Sequence, residues 1–241
     1  GIIAPTYAEH EHHWRLAGHD VRCLSLDEVD SELDELEVLV LVRPNNPDGA
    51  CPPRSRVLDW WRQLCAREGW LVVDEAFVDA VPEESLVEYT QESGFIVLRS
   101  FGKFFGHPGL RLGFVLTHEV LLKMLHDFFG AWSVSTIARV WGTKALCDTA
   151  WQWQARKRLL VETGRLESLL RSVGLAPDGG TAFFQYLRHR EADDIHQALA
   201  AMGIMVRRFQ QAGEGCALRL GLPGKESCWQ RLEKALQVVT G

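Results

Sequence analysis

Apolar residues in this chain fall in short unbroken runs, separated by longer stretches in which they recur every three or four positions. Val38-Leu39-Val40-Leu41-Val42 is the longest run, and Gly69-Trp70-Leu71-Val72-Val73 and Phe95-Ile96-Val97-Leu98 follow it. A run without polar alternation predicts a strand buried on both faces, the situation of a parallel sheet between layers of helix. Residues 8–17, ending at Gly18, and residues 54–68 have helical periodicity, and so do residues 118–127 and 136–146. Residues 20–24, 37–42 and 113–116 supply further strands. Strands alternating with helices are the rhythm of βαβ units, so the expected fold is α/β with a mostly parallel sheet flanked by helices.

The rhythm changes after residue 147. Residues 148–172 form one long helical pattern, with Leu159, Leu166, Leu169 and Leu170 near one face. Beyond it come a strand at 181–187, a helix at 193–202, strands at 203–209 and 216–222, and a helix at 225–239. This predicts a large domain over 1–147 and a smaller C-terminal α+β domain over 148–241, with the long helix between them as a hinge. There is no internal repeat and no low-complexity segment.

Composition narrows the function. With 26 Lys+Arg against 32 Asp+Glu the net charge is -6, and no basic stripe exists to neutralise phosphates along a nucleic acid. No apolar run approaches the roughly 20 residues that a bilayer span needs. The six cysteines, Cys23, Cys51, Cys65, Cys147, Cys216 and Cys228, contain no C-x-x-C pair and read as reduced thiols of a cytoplasmic protein. The opening Gly1-Ile2-Ile3-Ala4-Pro5-Thr6-Tyr7 lacks a signal-like segment and reads as the middle of a domain.

Polar clusters sit where predicted strands end: Arg43-Pro44-Asn45-Asn46-Pro47-Asp48-Gly49, Asp74-Glu75-Ala76-Phe77, Ser100-Phe101-Gly102-Lys103, and Arg111 beyond them. Ligands of open α/β sheets bind outside the carboxyl ends of the strands, so these clusters can converge on one crevice. Singly each is weak, and Asn-Asn-Pro-Asp-Gly is also a good turn by its residue chemistry alone. Their order, N-P-x-G, then D-E-A-F, then S-x-G-K, then an arginine, resembles the pyridoxal-phosphate enzymes of the aspartate-aminotransferase fold. The wording Arg99-Ser100-Phe101-Gly102-Lys103-Phe104-Phe105-Gly106 and Gly109-Leu110-Arg111-Leu112-Gly113-Phe114 is similar to the threonine-phosphate decarboxylases of cobalamin biosynthesis, and less closely to histidinol-phosphate aminotransferases. Gly179-Gly180-Thr181, Val206-Arg207 and Leu218-Arg219-Leu220-Gly221-Leu222-Pro223 extend the likeness over essentially the whole chain.

The resemblance implies pyridoxal 5'-phosphate as cofactor, a phosphorylated amino-acid substrate and a homodimer. It casts Lys103 as the amine that takes the cofactor aldehyde as a Schiff base and later carries a proton at Cα. Asp74 would pair with the pyridine nitrogen. At about 4 Å and an effective dielectric near 20 such a pair is worth roughly 4 kcal/mol, about three pKa units, which keeps the ring charged at neutral pH. Asn46 would donate to the phenolic oxygen, Ser100 and Arg111 would hold the phosphate, Tyr7 would stack on the ring, and Arg219 would take the substrate carboxylate bidentately. The implied reaction is decarboxylation of L-threonine O-3-phosphate, with a histidinol-phosphate type aminotransferase as the alternative.

Two departures from the family pattern stand out. Phe77 occupies the place where many aminotransferases carry a tyrosine that donates to the ring oxygen. The Gly-Ser turn that cradles the phosphate, expected tens of residues before Tyr7, is not in this sequence. Other features read as structural: His10, His12 and His13 as a solvated helix face with no metal site, and the nine tryptophans as core and interface; of Arg207-Arg208, one could reach a substrate phosphate while the other faces solvent, and the pair stays outside the candidate site. Leu71-Val72-Val73-Asp74-Glu75 also resembles the acidic strand of a P-loop ATPase, but Gly102-Lys103 is followed by Phe104 and lacks the earlier glycine of that loop. An inactive protein that merely keeps the fold is the remaining alternative, and it would form no coloured cofactor adduct.

Overall fold

A computed structural model of the chain describes residues 1–211 and 215–240. It divides into two compact units: Gly1–Asn46 with Cys51–Trp153, and Pro47–Ala50 with Gln154–Gly241. The division lies a few residues beyond the 147/148 boundary read from the sequence, inside the long helix, and it lends four residues of the N-terminal half to the second unit.

The first unit is built on a six-stranded sheet. In chain order its strands are β1 (Ile2–Ile3), β2 (Cys23–Leu24), β3 (Val38–Val42), β4 (Trp70–Asp74), β5 (Phe95–Ser100) and β6 (Gly113–Thr117). Their spatial order is β2-β1-β3-β4-β5-β6, parallel throughout except that β6 runs antiparallel to β5. Alternate residues of β3, β4 and β5 serve opposite faces. Leu39, Leu41, Leu71, Val73, Phe95 and Val97 join one core with Val57, Leu58, Trp60 and Leu64 of helix α3 (Arg54–Cys65). Val40 and Val72 join a second core with Ile2, Val21 and, at its edge, Trp14 of helix α1 (Ala8–Leu16). Burial on both faces is why these strands read as unbroken apolar runs. Helices α2 (Val29–Glu32), α4 (Glu119–Phe129) and α5 (Thr136–Cys147) complete the unit.

The long helix α6 (Thr149–Ser172) leads into a four-stranded antiparallel sheet of order β7-β8-β10-β9: β7 (Gly179–Thr181), β8 (Phe184–Arg188), β9 (Arg207–Gln211) and β10 (Gly215–Gly221). Leu166 and Leu170 of α6, Ile195 and Leu199 of α7 (Ala192–Ala201), and Trp229, Leu232 and Leu236 of α8 (Glu226–Thr240) pack with Leu187, Leu218 and Leu220 into its core. Here two sequence expectations change. The strand expected at 181–187 is a hairpin, because the chain reverses between Thr181 and Phe184. The strand expected from Gly203 begins at Arg207, since Gly203, at φ 70°, closes the end of α7 by donating its N–H to the Ala200 carbonyl at 2.8 Å.

Candidate active site

Strand register sets the first unit's polar residues side by side. Val42 pairs with Asp74 and Asp74 with Leu98, so β3, β4 and β5 end together. Asp74 closes β4, and its carboxylate is fixed from two sides. Its Oδ1 accepts from the Ala76 N–H at 2.9 Å, and its Oδ2 lies 2.9 Å from His10 Nε2, with side chains only 16% and 13% exposed. The His10 ring meets Tyr7 edge to face at 5.9 Å, and Tyr7 itself is half exposed. This corrects the reading of the histidine cluster: His10 is a partner of Asp74, while His12 and His13 stay exposed and His13 pairs with Glu9 at 3.2 Å. The available signal was spacing, since His10 lies one helical turn beyond Tyr7.

The loops after β1 and β3 are tied together by Asn45. Its Nδ2 donates to the Pro5 carbonyl at 2.8 Å, and its Oδ1 accepts from Thr6 Oγ1 at 2.7 Å. Asn45 is buried and its neighbour Asn46 is half-buried. Asn45 thus ties the segment just before Tyr7 to the residue just before Asn46, a role the sequence reading did not give it. After β4, buried Glu75 accepts from Ser85 Oγ at 2.7 Å, from the Leu86 N–H at 2.6 Å and from Arg99 at 2.9 Å, which pins the Asp74–Phe77 turn to β5.

Lys103 lies on the loop that follows β5, with its backbone anchored where Gly106 donates to the Lys103 carbonyl at 3.1 Å. Its Nζ stands 5.7 Å from the centre of the buried Phe77 ring. Aromatic rings brace that loop: Phe101 stacks on Phe105 at 4.5 Å, and Phe105 on Trp151 at 6.0 Å. Ser100, the last residue of β5, pairs with Gly113 and accepts weakly from the Gly102 N–H at 3.4 Å. Arg111 is exposed and adopts the left-handed region at φ 51°, ψ 44°, a conformation that a non-glycine residue holds only when its surroundings impose it. Tyr7, Asp74, Phe77 and Lys103 are therefore linked through direct neighbours, and Ser100 closes the strand that leads into the lysine loop.

Arg219 belongs to the second unit. It pairs in register with Arg207 across β10 and β9, and both guanidinium groups lie against the Phe209 ring, at 5.5 and 5.8 Å, while Arg219 also covers Phe184 at 4.8 Å. Burial, and then the neighbouring Arg207 charge, press the Arg219 pKa below its usual value. Arg208 points the other way and holds Asp193. Two guanidinium groups on one aromatic base make a surface suited to oxyanions, whose charge would offset their mutual repulsion. Arg207 thus joins Arg219, although the sequence alone left it out of the candidate site.

These donors suit pyridoxal phosphate. A fixed carboxylate suits a basic ring nitrogen, an amine over an apolar ring suits an aldehyde, and Ser100 and Arg111 are anion donors. No group of three metal-ligating side chains occurs among the described residues.

The chain belongs to the aminotransferase class I and II family, whose pattern it matches over residues 2–236. Its fold is that of the pyridoxal-phosphate aminotransferases, and pyridoxal phosphate is the cofactor. Among relatives it is 47% identical over 236 residues to the threonine-phosphate decarboxylase of Pseudomonas aeruginosa, covering 98% of this chain and 70% of that one. It is 35% identical to the threonine-phosphate decarboxylase of a Sinorhizobium species, covering 98% and 69%. The crystal structure of the histidinol-phosphate aminotransferase from Clostridium acetobutylicum superposes with a TM-score of 0.91 at 22% identity, over 99% of this chain and 77% of that one, a likeness of fold.

Proposed function

We propose that this protein is a carbon-carbon lyase that removes CO2 from L-threonine O-3-phosphate to give 1-amino-2-propanol O-2-phosphate, the linker fragment of cobalamin. The observation that carries this reading is the 47% identity to a threonine-phosphate decarboxylase across nearly the whole chain. Phe77 in the D-E-A-F turn agrees with it, because the decarboxylases that the lysine loop resembles also carry a phenylalanine there.

When bound, pyridoxal phosphate supplies a protonated ring that takes up the electron pair left on Cα as the bond to the carboxylate breaks. Asp74, held by His10 and the Ala76 N–H, would keep the positive charge at the ring nitrogen. Asn46 would donate to the phenolic oxygen, Tyr7 would cover the ring face, and Ser100 with Arg111 would bind the phosphate. Lys103 would supply the amine for the aldehyde and a proton for Cα. Arg219 grips the substrate carboxylate, and Arg207 beside it takes up further anionic charge.

The partner is a second copy of the chain, and the exposed apolar residues Phe128, Trp132 and Ile137 on and between α4 and α5 support this. Six thiols without a disulfide support a cytoplasmic location. No helix among the described residues is long and apolar enough to cross a membrane. The test is to supply the protein with pyridoxal phosphate and phosphothreonine and to measure CO2. Release without 2-oxoglutarate is expected, whereas turnover that depends on 2-oxoglutarate would select the aminotransferase.

A further inference from the structure

The loop Pro47–Ala50, which follows Asn46 directly, is seated backbone against backbone on β7. Gly49 lies at φ 78°, and a Cβ there would come within 1.9 Å of the Gly180 carbonyl oxygen and 2.7 Å of its nitrogen. A Cβ on Gly179 would meet the Asp48 carbonyl oxygen at 2.2 Å. Real Cβ atoms do not approach so closely, so the seat needs glycine on both of its sides. Asp48 adds a local brace by accepting from the Ala50 N–H at 2.9 Å. Behind β7, Thr163 of α6 donates to the Thr181 carbonyl at 3.2 Å and accepts from Gln185 Nε2 at 3.1 Å, so the strand that carries the seat is itself fixed.

We propose that Gly49 and Gly179 are positioning residues for Asn46: the glycine seat sets where the loop leaves β7, and through Asp48 and the rigid Pro47 it sets where the Asn46 amide points. This rests on the reading that Asn46 donates to the cofactor's phenolic oxygen. A donor there favours the deprotonated form of the bound chromophore, so losing it raises the pH at which the absorbance changes.

The experiment is a spectrophotometric pH titration of the cofactor-loaded protein and its variants, with thermal midpoints recorded alongside. Asn46→Ala serves as the reference and is expected to raise the titration midpoint by about one pH unit or more. Gly49→Ala and Gly179→Ala should shift it in the same direction, and combining either with Asn46→Ala should give no more than the Asn46→Ala shift, because both act through one group. Asp48→Ala, which removes the brace without overlap, should give a smaller rise and covers the case in which a glycine variant does not fold. Gly164→Ala, in α6 with open space around it, should leave the midpoint in place. The proposal is overturned if Gly179→Ala or Asp48→Ala lowers the thermal midpoint with the titration unmoved, or if its effect adds in full to that of Asn46→Ala. A wild-type protein with no pH-dependent band would sink the cofactor reading together with this proposal. A normal wild-type band that the seat variants leave in place would sink the proposal alone.

Discussion

Asp74 is the residue whose surroundings can be predicted most closely. Replacing it with Asn keeps the size and removes the charge proposed to face the ring nitrogen, so kcat should fall about a thousandfold by the same 4 kcal/mol arithmetic. A turnover within tenfold of wild type would show that this carboxylate does not hold the ring charge. His10→Ala should act more mildly, since one hydrogen bond to a charged group is worth about 1.5–3 kcal/mol. Affinity for pyridoxal phosphate, followed by absorbance, should weaken about tenfold or more, and unchanged affinity would make the 2.9 Å contact incidental. Arg219→Lys keeps a cation and loses the fork, so KM for phosphothreonine should rise well beyond any change in kcat. These residues differ in how far the sequence announced them. Asp74 and Lys103 stood in motifs at strand ends, and their placement at the end of β4 and after β5 was legible. His10 was hidden in a run of histidines, because the atom it meets lies 64 positions away. Arg207 was obscured by Arg208, and only the pairing of β9 with β10 tells which of the two lies opposite Arg219.

Elements were legible wherever burial was complete. β3, β4 and α3 lie within a few residues of their expected bounds, because an apolar run between two helical layers leaves little choice. Expectation weakened where geometry depends on partners: β1 has two residues and exists through its pairing with β2 and β3, and the reversal that makes β7 and β8 separate strands is set by their antiparallel register. One packing tie allows a pH test. Asp30 of α2 accepts from the indole N–H of Trp60 in α3 and from Arg56 at 2.8 Å. The Trp60 hydrogen bond, then Arg56, holds its carboxyl below the ordinary 3.8. A folded pKa below the unfolded one contributes stability above pH 3.8 that is lost as pH falls through the lower folded value. Asp30→Ala should therefore lower the thermal midpoint at pH 7, and the gap to wild type should close as pH falls through the lowered folded value. A gap that persists in acid would assign the loss to packing instead.

For the molecule as a whole, the mostly parallel sheet could be read from rhythm, while the ownership of residues 47–50 could not, since sequence order conceals which unit a short loop packs on. Trp132 and Phe128 are 94% and 82% exposed, two large apolar side chains left in water close together in sequence. Trp132→Ser together with Phe128→Ser should raise the dissociation constant of the proposed dimer measured by sedimentation, and an unaltered constant would place any subunit contact elsewhere. The loop that crosses over has a practical outcome for anyone dissecting the protein. A fragment cut after Trp153 carries off a strap that its sister piece needs, leaving the glycine edge of β7 bare in water, so neither half should survive alone as well as it does in the intact chain. A permuted gene that keeps the strap beside that edge is the better route to an isolated C-terminal unit.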